Sequence, residues 1–223
     1  MITSRPLFKG VFHTIAAILY IFALPYLRAQ IPIDLNYPLN IYLFTVIGHF
    51  MVSSIFHLIP WTPRMTALHL QVRRLDHVVI FMTIAATYYA AIATVMSDIN
   101  HIVIYFLGLG TTLGIIIRIF FTNAPQVLIM LPYLLMGWSL ILDPNLIISL
   151  FKRLPMGTFI GSLGGILCTI GAGIYTFQRP NPCPRYLGFH ELFHIFATIG
   201  IMLLTVAIFR YSIPYYVQNI GTK

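Results

Sequence analysis

Seven apolar runs, each close to a bilayer in length, constrain this chain more than any other feature. They fall at about 7–27, 39–59, 76–97, 100–120, 125–142, 156–177 and 189–212. A hydrocarbon core of ~30 Å takes about 20 helical residues to cross. Inside lipid no water reaches the backbone N–H and C=O groups, so each run must satisfy them internally, as a helix does. Charged residues make up 8% of the 223 and hydrophobic ones 59%. A water-soluble domain carries about 25% charged residues, so lipid is the natural solvent for this surface. The expected fold is all-α: one domain over residues 1–223, a seven-transmembrane-helix bundle and so an integral, multi-pass protein of the plasma (inner) membrane. Loop signals agree, with Pro32, Pro60, Asn123-Ala124-Pro125, Asp143-Pro144 and the run RPNPCPRY at 179–186 falling between the runs.

A formal net charge of +8 raises nucleic acid as a partner, but the basic residues lie in short loops between apolar runs, the membrane pattern. No nucleic-acid partner is expected. Arg5, Lys9, Arg64, Arg73, Arg74, Arg118, Arg179 and Arg185 fall on the N-terminal side, and Arg28, Lys152, Arg153, Arg210 and Lys223 on the other. The excess predicts a cytoplasmic N-terminus and a C-terminus outside. Arg5 and Lys9 before an apolar stretch imitate a signal peptide, but Leu27-Arg28-Ala29 is a poor cleavage site, so the first run reads as a retained span. Cys168 and Cys183 have no metal-type or disulfide spacing. In the sixth run Gly157, Gly161 and Gly165 stand four apart, a spacing that lets two helices approach closely.

Ionisable side chains inside membrane spans are costly, and each is a candidate for function. Counting alternate spans sets their depths. The second span ends just after His57, the third begins at Leu75-Asp76-His77, and the seventh carries His190 and His194 in its first two turns. All four side chains, His57, Asp76, His190 and His194, are thereby expected at one depth, whichever way the bundle faces. The motif H-E-L-F-H places His190 and His194 on one helix face, within reach of one metal ion. Three histidines and an open position make the arrangement of a catalytic zinc ion, which holds a water and lowers its pKa to about 7. Asp76 is the candidate general base or water ligand. Ser53, one turn from His57 on the same face, can hydrogen-bond the site or bond back to the His49 carbonyl. His13 lies early in the first span and is a candidate for the shell behind the ligands. His49, about 12 Å deeper than His57 at 1.5 Å per residue, is too far to be a ligand, and His77 is expected to point about 100° away from Asp76. Arg118 is expected to snorkel to the headgroups.

These residues carry a resemblance. FKGVFH (8–13), SSIFHLIPWTP (53–63), RRLDHVVIFMTIAATY (73–88) and LGGILCTIGAGIYTFQRPNPCPRYLGFHELFHIF (163–196) resemble, in order and over nearly the whole chain, the bacterial branch of the hemolysin III family. That family belongs to the progestin and adipoQ receptor (PAQR) superfamily. The resemblance implies seven helices and a zinc site near the cytoplasmic face, with His57, His190 and His194 as ligands, Asp76 beside the metal's water and Ser53 as the motif serine. Related receptors are linked to ceramide hydrolysis, and the family name comes from a cytolytic phenotype; membrane-lipid homeostasis has also been suggested. Lys9 replaces the usual arginine, Cys168 a common tyrosine, and Tyr88-Tyr89-Ala90 the usual Tyr-Thr-Pro, so the third span is expected without the family's kink.

Three functions follow. The first is a zinc-dependent, ceramidase-like hydrolase of lipid amide or ester bonds, with membrane lipids as partners and a lipid substrate or ligand inside the bundle. The second is a receptor, sensor or cytolytic protein in which zinc only staples spans together. The third is an intramembrane metalloprotease with Glu191 as base, disfavoured because the histidine pair comes last in the chain.

Overall fold

The computed structural model describes residues 8, 10–121 and 125–219. Arg5, Lys9 and Lys223, counted for orientation, and Asn123 and Ala124 lie outside the described residues. All regular elements described are helical: α1 Val11–Arg28, α2 Asn36–Leu58, α3 Thr66–Thr94, α4 His101–Phe120, α5 Gln126–Gly137, α6 Pro144–Arg153, α7 Pro155–Phe177, α8 Phe189–Val206 and, across a π-helical turn at Ala207–Ser212, α9 Ile213–Asn219. Proline and short polar side chains set the ends. Asn100 and Asp143 cap α4 and α6 by accepting from the N–H groups of Ile102 and Leu146. Pro144 and Pro155 occupy first-turn positions where a missing N–H costs nothing.

Six helical stretches among the described residues are long and apolar enough to cross a membrane. The fifth expected span differs. The helix stops at Gly137, and a 3-10 turn at Ser139–Leu142 replaces its last turn. Pro132 inside this short helix removes one backbone donor, and Gly137 lowers the cost of leaving the helix. The third expected span is instead too short: α3 begins at Thr66 and carries Arg73 and Arg74 on its first turns, outside the apolar run. It runs unbroken through Tyr88-Tyr89-Ala90, as the absent proline predicts. Large apolar side chains face outward along the bundle, Phe22 at 79%, Tyr105 at 75% and Phe120 at 72% exposure, as lipid contact allows. With the helices this apolar, the chain is an integral multi-pass membrane protein.

Close packing of α7 on α8 rests on glycine, though not on all the glycines expected. A Cβ on Gly164 would meet the Gly200 carbonyl oxygen at 2.7 Å, and one on Gly200 would meet that of Gly164 at the same distance. Gly157 faces Tyr211 and Gly171 faces Phe196. Gly165 faces open space, because a four-residue step overshoots the 3.6-residue turn and Gly164 takes its place. On the other side of α8, Tyr20 of α1 and Tyr42 of α2 both donate to Thr205 Oγ1, at 2.5 and 2.7 Å, while Thr205 donates to the Ile201 carbonyl at 3.0 Å. This buried hydroxyl cluster ties α1, α2 and α8 together. Along α2, Leu43, Val46 and Phe50, all 0% exposed, lie between it and the histidines.

Candidate metal centre

The C-terminal turn of α2 and the first two turns of α8 meet at one end of the bundle. His57 closes α2, which ends there because Pro60 follows and Ile59 is already extended. α8 starts after the loop at Gly188, where Glu191 Oε2 accepts the Gly188 N–H at 2.8 Å. This bond satisfies one orphan donor, and a negative charge is favourable at a helix N-terminus. Glu191 is 1% exposed and does not line the cavity beside the histidines. The glutamate of the H-E-x-x-H motif is thus a cap.

His57, His190 and His194 each direct a ring nitrogen to one point, the three atoms lying within 4.8 Å of one another. His190 Nε2 is 3.2 Å from His57 Nε2 and 2.8 Å from His194 Nε2. A single ring nitrogen has one proton or one in-plane lone pair, so His190 Nε2 can complete only one of these contacts as a hydrogen bond. A cation between the rings satisfies all three. Ligands on a tetrahedral ion with bonds of ~2.05 Å stand about 3.3 Å apart, so the observed spacing suits such an ion. Imidazole donors suit zinc, copper, iron or nickel and not calcium or magnesium.

Beside this triad lies a cavity of ≈ 220 Å³ lined by Ser53, His57, Asp76, His190 and His194, together with Phe56, Ile80, Met130, Tyr175 and Phe193. The expected site residues therefore converge. Asp76 lines the cavity, outside the set of mutually close donor atoms. Ser53 is 1% exposed in the cavity wall. His77 lines the cavity too, against expectation, with Nδ1 bonded at 2.7 Å to the Arg73 carbonyl. His49 also borders the cavity and stays out of the triad, its Nδ1 2.9 Å from Thr83 Oγ1. Away from the cavity, Asp98 pairs with Arg153 at 3.4 Å.

Arg118 corrects the sequence expectation. Its side chain is 1% exposed, enclosed by protein and not reaching toward headgroups. None of its three guanidinium nitrogens has a hydrogen-bond partner among the described residues. Tyr133, Arg73, Tyr175 and Asp76 are in electrostatic range. Neighbouring helices close over it, with Phe81 packed against Gly114 one turn earlier. Nothing in the local sequence separates this enclosed arginine from one that snorkels. Tyr175 and Phe193 were also missed, since an aromatic residue in an apolar helix carries no signal of which way it faces.

A family model described as Haemolysin-III related matches residues 1–205 of the chain. The chain therefore belongs to the hemolysin III family, which is the PAQR family of membrane proteins.

Proposed function

We propose that this haemolysin-III related protein is a zinc-dependent hydrolase of lipid amide or ester bonds, acting in the plasma membrane in membrane-lipid homeostasis. The observation that carries the reading is a set of three donors bordering a cavity. Three ring nitrogens lie within reach of one ion, and Asp76 and Ser53, outside that set, line the same cavity. Structural zinc is usually closed by four protein ligands, whereas catalytic zinc keeps a position free. Asp76 stands outside the donor set, which argues against a purely stapling ion. Glu191 caps its own helix, which argues against a protease.

Zinc held by His57, His190 and His194 supplies Lewis acidity toward an acyl carbonyl and a water activated near neutral pH. The remaining work falls to the chain's own groups. A carboxylate oxygen of Asp76 accepts the proton of the attacking water and returns it to the departing amine or alkoxide. Ser53 donates its O–H to a substrate oxygen. Arg118 balances the negative charge of Asp76 in an interior of low dielectric. Phe56, Ile80, Met130 and Phe193 line an apolar wall that receives an acyl chain and excludes bulk water.

We read the bundle as seven crossings, with the N-terminus in the cytoplasm and the C-terminus outside. Parity supports the number of crossings, and the distribution of basic loops the orientation. His57 at the end of α2 touches His190 at the start of α8, so an even number of crossings separates them. α3, α4 and α7 supply three, and Gln126–Leu142 makes the fourth. The ion pair from Asp98 to Arg153 and the bond from the Asn100 N–H to Asp143 gather the ends of α3, α5 and α6 at the opposite face, as this path requires.

The test is purification in detergent with metal analysis, followed by ceramide, phospholipid and acyl-amide substrates offered to wild type and Asp76→Asn. Turnover of one lipid class by wild type, lost in Asp76→Asn by at least about a hundredfold with zinc retained, is the expected result. Zinc retained without turnover of any lipid by wild type would leave the stapling role as the better account.

A further inference from the structure

The triad accounts for the motifs on α2, α3 and α8 but does not by itself explain why Gly10 and His13 stand at the start of α1. Two contacts do. Gly10 has φ +84°, and a Cβ placed there would meet His57 Cβ at 2.8 Å. Both the left-handed backbone and the space demand glycine, so α1 begins directly against the His57 side chain. One turn later, His13 approaches the far side of His194. Its ring nitrogens are 2.9 Å (Nε2) and 3.1 Å (Nδ1) from His194 Nδ1, with the rings perpendicular and their centroids 4.0 Å apart.

We propose that Gly10 and His13 form a clamp on the metal centre, in which His13 is the positioning residue for His194. This rests on the reading of the triad as a zinc site and is independent of hydrolysis. The tautomers follow from the contacts. His194 Nε2 faces the triad, so its lone pair points there and the ring proton sits on Nδ1. That N–H donates to the unprotonated nitrogen of His13. A metal-bound histidine held through its other nitrogen is fixed in both tautomer and ring orientation.

His13 is held in turn. It is 2% exposed, and Phe50 and His49 pack edge-on to it with centroids at 5.2 and 5.7 Å. Thr83 spends its hydroxyl proton on the Val79 carbonyl at 2.7 Å, so its oxygen accepts from His49 Nδ1–H at 2.9 Å. This locks the His49 ring that backs His13. The support thus runs from α3 through α2 and α1 to the ligand on α8.

The test measures zinc release from purified, zinc-loaded protein challenged with a chromogenic chelator. It compares wild type with His13→Phe, which keeps the ring without an acceptor, and His13→Gln, which restores an acceptor. His13→Leu replaces the phenyl variant should that ring fail to pack. The expected result is zinc held about 10- to 100-fold more weakly by His13→Phe, with most of the loss recovered in His13→Gln. The visible spectrum of the cobalt-substituted protein is expected to change in His13→Phe and to return in His13→Gln. Equal retention by wild type and His13→Phe overturns the clamp while leaving the zinc site standing, as does a His13→Gln variant no better than His13→Phe. A wild type that takes up no zinc overturns the metal reading and the clamp together. Absent lipid turnover with these zinc effects intact overturns only the hydrolase.

Discussion

Helices α1, α2 and α8 hold two buried polar clusters, about 22 Å apart along α2 from His57 to Tyr42 at 1.5 Å per residue. The one at Tyr20, Tyr42 and Thr205 satisfies itself: each hydroxyl donates once, and Thr205 accepts twice. At His57, His190 and His194 a single nitrogen of His190 instead faces two others. The same three helices thus make one cluster closed by its own hydroxyl bonds and one whose ring nitrogens converge within reach of a single ion. A complete hydrogen-bond network in an apolar interior ties helices together. Convergent donors without a proton to share mark a place for an ion. Burial of polar groups therefore does not distinguish structure from function here, but their hydrogen-bond accounting does.

Six substitutions probe this contrast, and the largest effect belongs to the histidine cluster. His190→Ala or His194→Ala removes one of the converging donors, and zinc content is expected to fall to background with helical circular dichroism unchanged. Arg118→Met comes next. It removes the buried cation that faces Asp76, so lipid turnover is expected to drop at least about tenfold and the melting temperature to fall, with zinc content retained. Gly200→Leu forces a side chain onto the Gly164 carbonyl and is expected to cost about 1–3 kcal/mol in a thermal or denaturant titration, whereas Gly165→Ala, facing open space, is expected to be silent. The smallest effect is at the finished cluster: Tyr42→Phe deletes one hydroxyl bond, worth about 1 kcal/mol, and leaves zinc content as it was. Zinc lost from Tyr42→Phe would mean the two clusters are not independent.

Depth was legible in the sequence and rotation was not. Span counting was enough to bring His57, Asp76, His190 and His194 to one level, because helix rise depends only on residue number. The H-E-x-x-H spacing added that two of them share a face. Which way other side chains turn depends on packing around helices that are apolar on every side, where periodicity carries no information. For that reason the enclosure of Arg118, the use of Gly164 rather than Gly165 against α8, and the place of His77 on the cavity are not legible in the sequence. The break in the fifth span lay in plain view as Pro132 and Gly137, yet its hydropathy alone read as a continuous helix. The Tyr20–Tyr42–Thr205 cluster needed three helices in register, which no single stretch of sequence reports.

X-ray absorption at the zinc edge of the purified wild-type protein tests the central claim most directly. The account predicts three imidazole nitrogens and one further light atom at ~2.0–2.1 Å, falling to two imidazoles or to no bound zinc in His57→Ala. A sulfur ligand at ~2.3 Å, or an unchanged spectrum in His57→Ala, would contradict it.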